Sequence, residues 1–132
     1  MDEKVKALSD YRLEKAKKNI EVAEKLLKDG YADVATNRAY YAVFDAMRAV
    51  NALDEFDSSK HSGVIAHFNQ YHVKNGDFSP DTSAIIRKAA NMREKSDYED
   101  FYESSIEDAA EILREAKEFV ERVRIFLETG QE

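Results

Sequence analysis

Residues 37–50, NRAYYAVFDAMRAV, decide the fold of this chain, because their polar and apolar side chains separate onto two sides of a helix. At about 100° per residue, one band is polar and aromatic and the opposite side is apolar. An ordinary surface helix rarely needs that mixture, so this segment is the first candidate for a functional helix. The band consists of Asn37, Arg38, Tyr41, Asp45 and Arg48, and the apolar side consists of Ala39, Ala42, Ala46, Ala49 and Val50.

The composition favours one all-helical domain. The chain has 132 residues, a single proline, four glycines and 36% charged residues, with many alanines, leucines, glutamates and lysines. That length can bury a core without metal or disulfide staples. The absence of cysteine excludes disulfides, thiolate metal sites and cysteine nucleophiles, and it fits a reducing compartment.

The net charge argues against a broad phosphate-binding surface, and the hydropathy argues against a secreted or membrane-spanning protein. A net charge of −7 argues against a wide phosphate-neutralising surface, although a small basic cleft is compatible with it. No N-terminal apolar run resembles a signal peptide, and no apolar stretch approaches the roughly 20 residues of a membrane span. We therefore expect a soluble, cytoplasmic protein that does not contact membranes.

Hydrophobic periodicity predicts two long helices in the first half of the chain. Apolar residues recur at spacings of three and four over residues 10–28, and Asp29-Gly30 marks the end of that helix. A second helix is expected over residues 32–53, followed by a loop at residues 54–59. The apolar positions of the first helix are Leu13, Ala16, Ile20, Ala23 and Leu27.

Cap signals predict a third and a fourth helix. Ser58 or Ser59 can cap a third helix that continues to about residue 74. Ser79-Pro80 then supplies an N-cap followed by a proline suited to the first helical position, and this fourth helix should end near residue 95.

The last helix has the pattern of a bundle seam. The segment before it, residues 96–103 (SDYEDFYE), has no clean period and is interpreted as a structured loop or a single turn. Ser104 and Glu107 have the spacing of a capping box. Apolar residues then alternate at spacings of four and three, at Ala109, Leu113, Ala116, Val120, Val123 and Leu127.

Short loops between long helices imply antiparallel neighbours. The predicted fold is therefore all-α, an up-down antiparallel four-helix bundle with an additional short fifth helix, in a single domain over residues 1–132.

Two interpretations of the band in residues 37–50 stay open. In the first, the band is the polar edge of a bundle helix, held by ion pairs, with its tyrosines packed beside the first helix. In the second, Asn37, Arg38 and Tyr41 present donors and a stacking face to a phosphate, a base or a dimer mate.

Lys60-His61-Ser62-Gly63 lies where the third helix should begin, so its backbone N–H groups and Lys60 could bind an anion. The alternative is that His61 and His72 are satisfied groups at the margin of the core. No metal site or other cofactor is expected, because no two histidines are four residues apart and the chain lacks cysteine and a Glu-x-x-His pair.

Arg93 to Tyr98, REKSDY, closes the predicted fourth helix. Arg93 could neutralise the last carbonyls and Asp97 could cap a turn, which is a purely structural explanation. Alternatively, Arg93 beside Tyr98 and Tyr102 offers a guanidinium next to aromatic faces. Glycine-rich phosphate loops and G-x-S-x-G elbows are absent, because the four glycines are too scattered.

Three segments together, NRAYYAVFDAMRA, KHSGV and REKSDY, resemble the HEPN family of small helical bundles. They look like its prokaryotic single-domain branch, in which RAYYA, KHSG and arginine-to-DY motifs recur in that order. The resemblance spans roughly residues 11–127. It implies a bundle that usually forms a homodimer, acts around nucleotides or RNA, and is often encoded beside a minimal nucleotidyltransferase in toxin–antitoxin pairs.

The resemblance also implies a test for catalysis. Catalytic HEPN proteins are metal-independent ribonucleases with an arginine followed four to six residues later by a histidine that acts as acid or base. In this chain no arginine precedes His61, His67 or His72 at that spacing. Asp45 stands where relatives often have histidine, and an ionised aspartate would repel a phosphate unless burial raised its pKa.

We therefore expect a HEPN-type protein that binds a nucleotide, an RNA segment or a nucleotidyltransferase partner and lacks standard ribonuclease activity. One alternative is an atypical metal-independent ribonuclease using Arg93 and His61, which requires these two side chains to converge. Another is a noncatalytic dimeric interaction module. The residues expected to bind a ligand are Asn37, Arg38, Tyr41, Lys60, His61, Arg93, Asp97 and Tyr98.

Overall fold

The computed structural model describes residues 2–130, which form an all-helical bundle. Four long helices and one short helix follow one another, with a 3₁₀ turn after the second and a π-helical turn after the third. The helices are α1 (Glu3–Lys28), α2 (Ala32–Asn51), α3 (His61–Phe68), α4 (Asp81–Tyr98) and α5 (Ile106–Thr129), and the turns are Ala52–Asp54 and Asn69–Val73. This confirms the predicted all-α bundle with a short additional helix.

Side-chain contacts show that neighbouring long helices are antiparallel. Between α1 and α2, Ser9 contacts Ala49, whereas Asn19, further along α1, contacts Arg38 and Asp45, which lie earlier on α2. Between α4 and α5, Arg122 reaches Asp81, whereas Lys88 reaches Glu111 and Glu115. Both pairs therefore have the up-down arrangement that short loops impose.

One connected hydrophobic core takes residues from all five helices. The predicted apolar positions of α1 and α5 lie in it, with Leu27 and Leu127 packed at its edge, except Ala109, which is buried outside this cluster. Helix α2 lies at its centre: Ala39, Ala42, Ala46, Ala49 and Val50 are all fully buried. Small side chains on α2 allow neighbouring helices to approach closely, and larger residues such as Phe119 fill the remaining volume.

The first helix begins at Glu3, so the predicted start at residue 10 was wrong. Asp2 caps it, because the Asp2 side chain accepts a hydrogen bond from the Lys4 backbone N–H at 2.7 Å. The added turns are largely exposed, and their glutamate and lysines are good helix formers. Periodicity missed them because they bury little.

The ends of α3, α4 and α5 also differ from the predictions. The predicted third helix is α-helical only to Phe68 and continues as the π-helical turn. Helix α4 continues to Tyr98, beyond the predicted end near residue 95, because Asp97 pairs with Arg93 one turn earlier. Helix α5 is capped by Ser105, whose Oγ accepts from the Asp108 N–H, rather than by the predicted Ser104.

Ser104 has another role, because it attaches the segment between α4 and α5 to the start of α2. Its backbone N–H donates to Asp33 Oδ1 at 2.7 Å, and its Oγ lies 2.8 Å from Ser96 Oγ. This contact fixes the end of α4 against α2.

Within residues 2–130, the structure contains no helix that combines the length and hydrophobicity needed to cross a membrane.

Candidate functional site

The three motif segments meet in space. Helix α2 supplies Asn37, Arg38, Tyr40 and Tyr41, the start of α3 supplies His61, and the end of α4 supplies Arg93, Asp97 and Tyr98. We call this set the arginine–tyrosine cluster. Because α2 and α4 are antiparallel, the first half of α2 lies beside the last turns of α4.

Arg93 is the centre of the cluster. Its guanidinium carbon lies 5.3 Å from the ring centre of Tyr40, 5.6 Å from that of Tyr41 and 5.9 Å from that of Tyr98. Its Nη2 donates to the Tyr41 hydroxyl at 3.3 Å, and its Nε lies 3.1 Å from Asp97 Oδ2. A cation held against several aromatic faces keeps a defined position while its side chain stays partly exposed.

A second arginine lies on the same tyrosine. The Arg38 guanidinium carbon is 5.0 Å from the ring centre of Tyr41, and its Nη2 donates to Asn37 Oδ1 at 2.7 Å. Asn37 in turn reaches Asp97 through a 3.4 Å hydrogen bond. Tyr41 therefore lies between two guanidinium groups, and one carboxylate, Asp97, partly balances their charge.

His61 joins the cluster through the other tyrosine. The Tyr40 hydroxyl lies 2.9 Å from His61 Nδ1, and the His61 ring stacks on Phe44 with centres 4.2 Å apart. Burial, together with the nearby charges of Arg93 and Arg48, lowers the pKa of His61 below its usual value. His61 is therefore a neutral imidazole at pH 7.

The protonation of Tyr40 constrains the tautomer of His61. Burial raises the pKa of Tyr40 to about 12, so its hydroxyl keeps its proton at neutral pH. If that hydroxyl donates to Nδ1, the single proton of the neutral imidazole lies on Nε2. Tyr40 and Phe44 thus position the ring, and His61 keeps one nitrogen free of Tyr40.

An open groove of about 480 Å³ borders the cluster beside His61. Arg48 lies in its wall, but Asp57 binds the Arg48 guanidinium at 2.9 Å and also binds Arg12 at 3.1 Å. The groove therefore offers an imidazole and an aromatic face next to an arginine whose charge is only partly balanced, because Asp57 is shared with Arg12. Its lining residues are Phe44, Arg48, Asp57, Ser58, Ser59 and His61.

Lys60 is exposed beside the cluster, and within residues 2–130 its Nζ makes no hydrogen bond, ion pair or ring contact with the cluster. The structure places Lys60 at the N-cap position of α3, where its backbone N–H donates to Ser58 Oγ at 3.1 Å. Of the eight residues predicted to bind a ligand, the structure joins the other seven. Sequence reasoning missed Tyr40, although the adjacent tyrosines of the RAYYA segment were a usable signal.

Asp45 lies outside the cluster, against α1. It is only 6% exposed, and its Oδ2 accepts a hydrogen bond from Asn19 at 2.9 Å. Arg48, which follows Asp45 on the next turn of α2, pairs with Asp57. Burial raises the pKa of the Asp45 carboxyl, despite nearby Lys15, Arg48 and Arg12. Asp45 therefore cannot take the place of a catalytic histidine beside Arg93.

We expect Asp45→Asn to increase the free energy of unfolding at pH 7. A raised folded-state pKa means that the ionised carboxyl destabilises the fold above that pKa, and the cost disappears as the group is protonated at lower pH. The gain in the free energy of unfolding should therefore shrink as the pH falls and vanish below about pH 4. Urea denaturation across this pH range measures it. The exposed Asp100→Asn is the control, and an equal gain there would contradict the prediction.

Gly63 in the KHSG segment is required by a close side-chain approach. A Cβ at this position would meet Ser58 Oγ and would lie 2.9 Å from Ser58 Cβ. Ser58 is held there by its hydrogen bond from the Lys60 N–H. Glycine at this position therefore lets the segment before α3 fold back onto the helix that carries His61.

We expect Gly63→Ala to lower the free energy of unfolding by about 1–3 kcal/mol, because the new methyl group overpacks against Ser58. Adding Ser58→Gly removes the obstacle and should recover most of the loss. Chemical denaturation of both single variants and the double variant forms a double-mutant cycle. Additive effects would show that Ser58 is not the reason for the glycine.

Comparison with known proteins identifies the family of this chain. The sequence profile of the HEPN domain matches residues 9–126. The chain belongs to the HEPN domain family. The matched region contains all five helices except the first residues of α1 and the last of α5.

Several curated proteins are similar to this HEPN chain. "Putative toxin MJ0142" of Methanocaldococcus jannaschii is 30% identical over 87% of this chain and 78% of its own length. "Putative toxin MJ0605" of the same organism is 34% identical over 85% of this chain and 83% of its own length. A "UPF0332 protein" of Thermotoga maritima is 30% identical over 97% of this chain and 96% of its own length.

Proposed function

We propose that this HEPN protein binds a phosphate-bearing nucleotide or RNA segment at the arginine–tyrosine cluster, in a toxin-like role, and lacks the standard HEPN ribonuclease activity. One observation carries the proposal: Arg93 and Arg38 both lie against Tyr41, and Arg93 also contacts the rings of Tyr40 and Tyr98. Guanidinium groups bind phosphate, and aromatic faces stack on bases.

The charges around Arg93 support a ligand that is an anion. Asp97 is the carboxylate within 3.1 Å of Arg93, and it is partly exposed. A phosphate could compete with Asp97 for Arg93, or bind Arg38 while Asp97 stays in place. The rest of the chain is acidic, with a net charge of −7, so binding should be confined to this small basic surface rather than spread along a polyanion.

Titration calorimetry with nucleoside triphosphates and short single-stranded RNAs tests this proposal. We expect saturable binding that weakens with added salt, because phosphate contacts release counterions. RNA should remain intact during the incubation. Absence of binding at low salt for both ligand classes would contradict the proposed function.

A second candidate function is supported by the convergence of Arg93 and His61. Arg93 lies over the ring of Tyr40, and the hydroxyl of the same Tyr40 contacts His61. This role needs the other tautomer, in which His61 Nδ1–H donates to the Tyr40 oxygen and Nε2 carries no proton. Nε2 could then accept the 2′-hydroxyl proton while Arg93, on the same tyrosine, holds the phosphate. Incubation with structured and single-stranded RNA, with His61→Ala as the control, separates it from the binding function.

Two partners belong to the same proposal. The toxin names of the two Methanocaldococcus relatives favour a two-component system, in which a minimal nucleotidyltransferase would be the partner. A homodimer is also proposed, supported by Tyr98 in the cluster and Phe101 three residues later in the chain, which are 71% and 106% exposed. Sedimentation and co-purification with the product of an adjacent gene address these two partners.

A further inference from the structure

A second group of polar side chains lies in the region after α2. Asp54 ends the 3₁₀ turn, His67 is in the last turn of α3, and His72 is in the π-helical turn. His67 Nε2 is 2.9 Å from Asp54 Oδ2, and His72 Nε2 is 2.6 Å from the same oxygen. We call these three residues the histidine–aspartate cluster, which shares no residue with the arginine–tyrosine cluster.

The π-helical turn explains why sequence spacing did not predict this cluster. His67 and His72 are five residues apart, a spacing that separates side chains on an α-helix by more than a full turn. The wider π-helical turn, Asn69–Val73, lets both imidazoles point to one place, with ring centres 6.2 Å apart. The sequence analysis expected no metal site because no two histidines are four residues apart. That criterion holds for an α-helix, whereas the backbone between His67 and His72 includes a π-helical turn.

Carboxylates flank His72 on two sides. Its Nε2 faces Asp54, and its Nδ1 lies 3.0 Å from Asp77 Oδ2, so both ring nitrogens face carboxylates. A neutral imidazole has one N–H and can donate to only one of them. A cation at Nε2 would let the single N–H, on Nδ1, donate to Asp77.

Aromatic packing holds both imidazoles in place. The His67 ring stacks on Phe56, with centres 3.9 Å apart and planes within 8° of parallel. The His72 ring packs against Phe68 and Phe126 in the core, and its side chain is only 7% exposed. Asp54 is 34% exposed and leaves the group open to solvent on one side. The ring nitrogens of both histidines are thus held in place beside the Asp54 carboxylate, and an ion can reach them from solvent.

We propose that Asp54, His67 and His72 form a binding site for a divalent transition metal, with Zn²⁺ as the ion that fits their chemistry best. Two imidazole nitrogens and one carboxylate oxygen are a ligand set that Zn²⁺ accepts, and three protein ligands leave one position for water. Asp77 accepts from His72 Nδ1 and so orients this ligand.

The spacing of the ligand atoms agrees with this site. One ligand atom from each residue lies within 4.8 Å of the others. Zinc bonds of about 2.0–2.1 Å in tetrahedral geometry separate neighbouring ligand atoms by roughly 3.3 Å. The hydrogen-bonded contacts of 2.9 and 2.6 Å therefore open by less than 1 Å when the metal replaces the bridging protons.

Zinc titration of the full chain after treatment with a chelator tests the site. Calorimetry should show one Zn²⁺ per chain, and a hundredfold excess over the dissociation constant should raise the melting temperature by roughly 10 °C. Asp54→Asn and His67→Ala should each weaken binding at least tenfold, and Asp77→Asn roughly 10- to 100-fold. His61→Ala and Asp100→Asn, outside the cluster, should bind Zn²⁺ as the wild type does.

A second measurement separates ligand loss from misfolding. In the wild-type chain, Zn²⁺ should shift the imidazole NMR signals of His67 and His72 and leave that of His61 in place. The proposal is overturned if Zn²⁺ does not saturate at one ion per chain, if Asp54→Asn and His67→Ala leave the affinity unchanged, or if the shifts occur at His61 alone. Circular dichroism of the metal-free variants establishes that they are folded.

Discussion

Replacing Arg93 by glutamine should weaken nucleotide or RNA binding by about 10- to 100-fold, the value expected for losing charge-assisted hydrogen bonds to a phosphate. Arg93 touches Tyr40, Tyr41 and Tyr98 together, so its charge is held beside two rings that reach the surface, Tyr41 and Tyr98, and these can stack on bases. Glutamine keeps hydrogen-bonding atoms but loses the charge and most of the fork geometry. Fluorescence anisotropy with a labelled single-stranded RNA measures the change.

Arg87→Gln is the matched control, because Arg87 is an exposed arginine on the same helix. It removes the same charge from the chain, so a loss that depends only on net charge would appear in both variants. The salt dependence of binding should also become shallower in Arg93→Gln alone. Equal affinities for Arg93→Gln and wild type would remove Arg93 from the proposed site.

Replacing Phe119 by alanine should lower the free energy of unfolding by about 3–5 kcal/mol, which is a large share of the stability of a domain of this size. Phe119 on α5 is fully buried, and its ring packs edge-on against Phe68 of α3, with centres 5.7 Å apart. It also contacts Phe78, which precedes α4. Alanine would leave a cavity among three segments that cannot all move inward.

Urea denaturation followed by circular dichroism measures this loss. Tyr11→Ala is the control, because Tyr11 on α1 is 63% exposed and its removal creates no cavity. Its effect on stability should stay within about 0.5 kcal/mol. A similar shift in midpoint for both variants would show that the buried aromatic group is not a principal source of stability.

The fold could be predicted from the sequence because it depends on patterns within single helices. Leu13, Ala16 and Ile20 on α1 repeat at helical spacing, and they lie in the core as predicted. Helix ends were harder. The start of α1 depends on the Asp2 cap and on helix propensity without burial, and the end of α4 depends on an ion pair between Arg93 and Asp97.

The candidate site could be predicted in outline but not in its contacts. Order and spacing marked the segments of Arg38, His61 and Arg93 as one group, and the structure joins them through Tyr40 and Tyr41. Sequence reasoning could not show that Lys60 stays outside this contact network. Side-chain direction at the start of α3 depends on how the preceding loop folds, which no local pattern encodes.

The sequence by itself determined the helices, the buried face of each helix and the family to which the chain belongs, because these follow from local spacing and from motif order. Only the tertiary structure decided which polar groups meet. Asp45 turns to Asn19 on another helix, and the π-helical turn brings His72 to Asp54. Such contacts depend on helix packing and backbone geometry between residues far apart in the chain, where a rotation of one helix changes every partner.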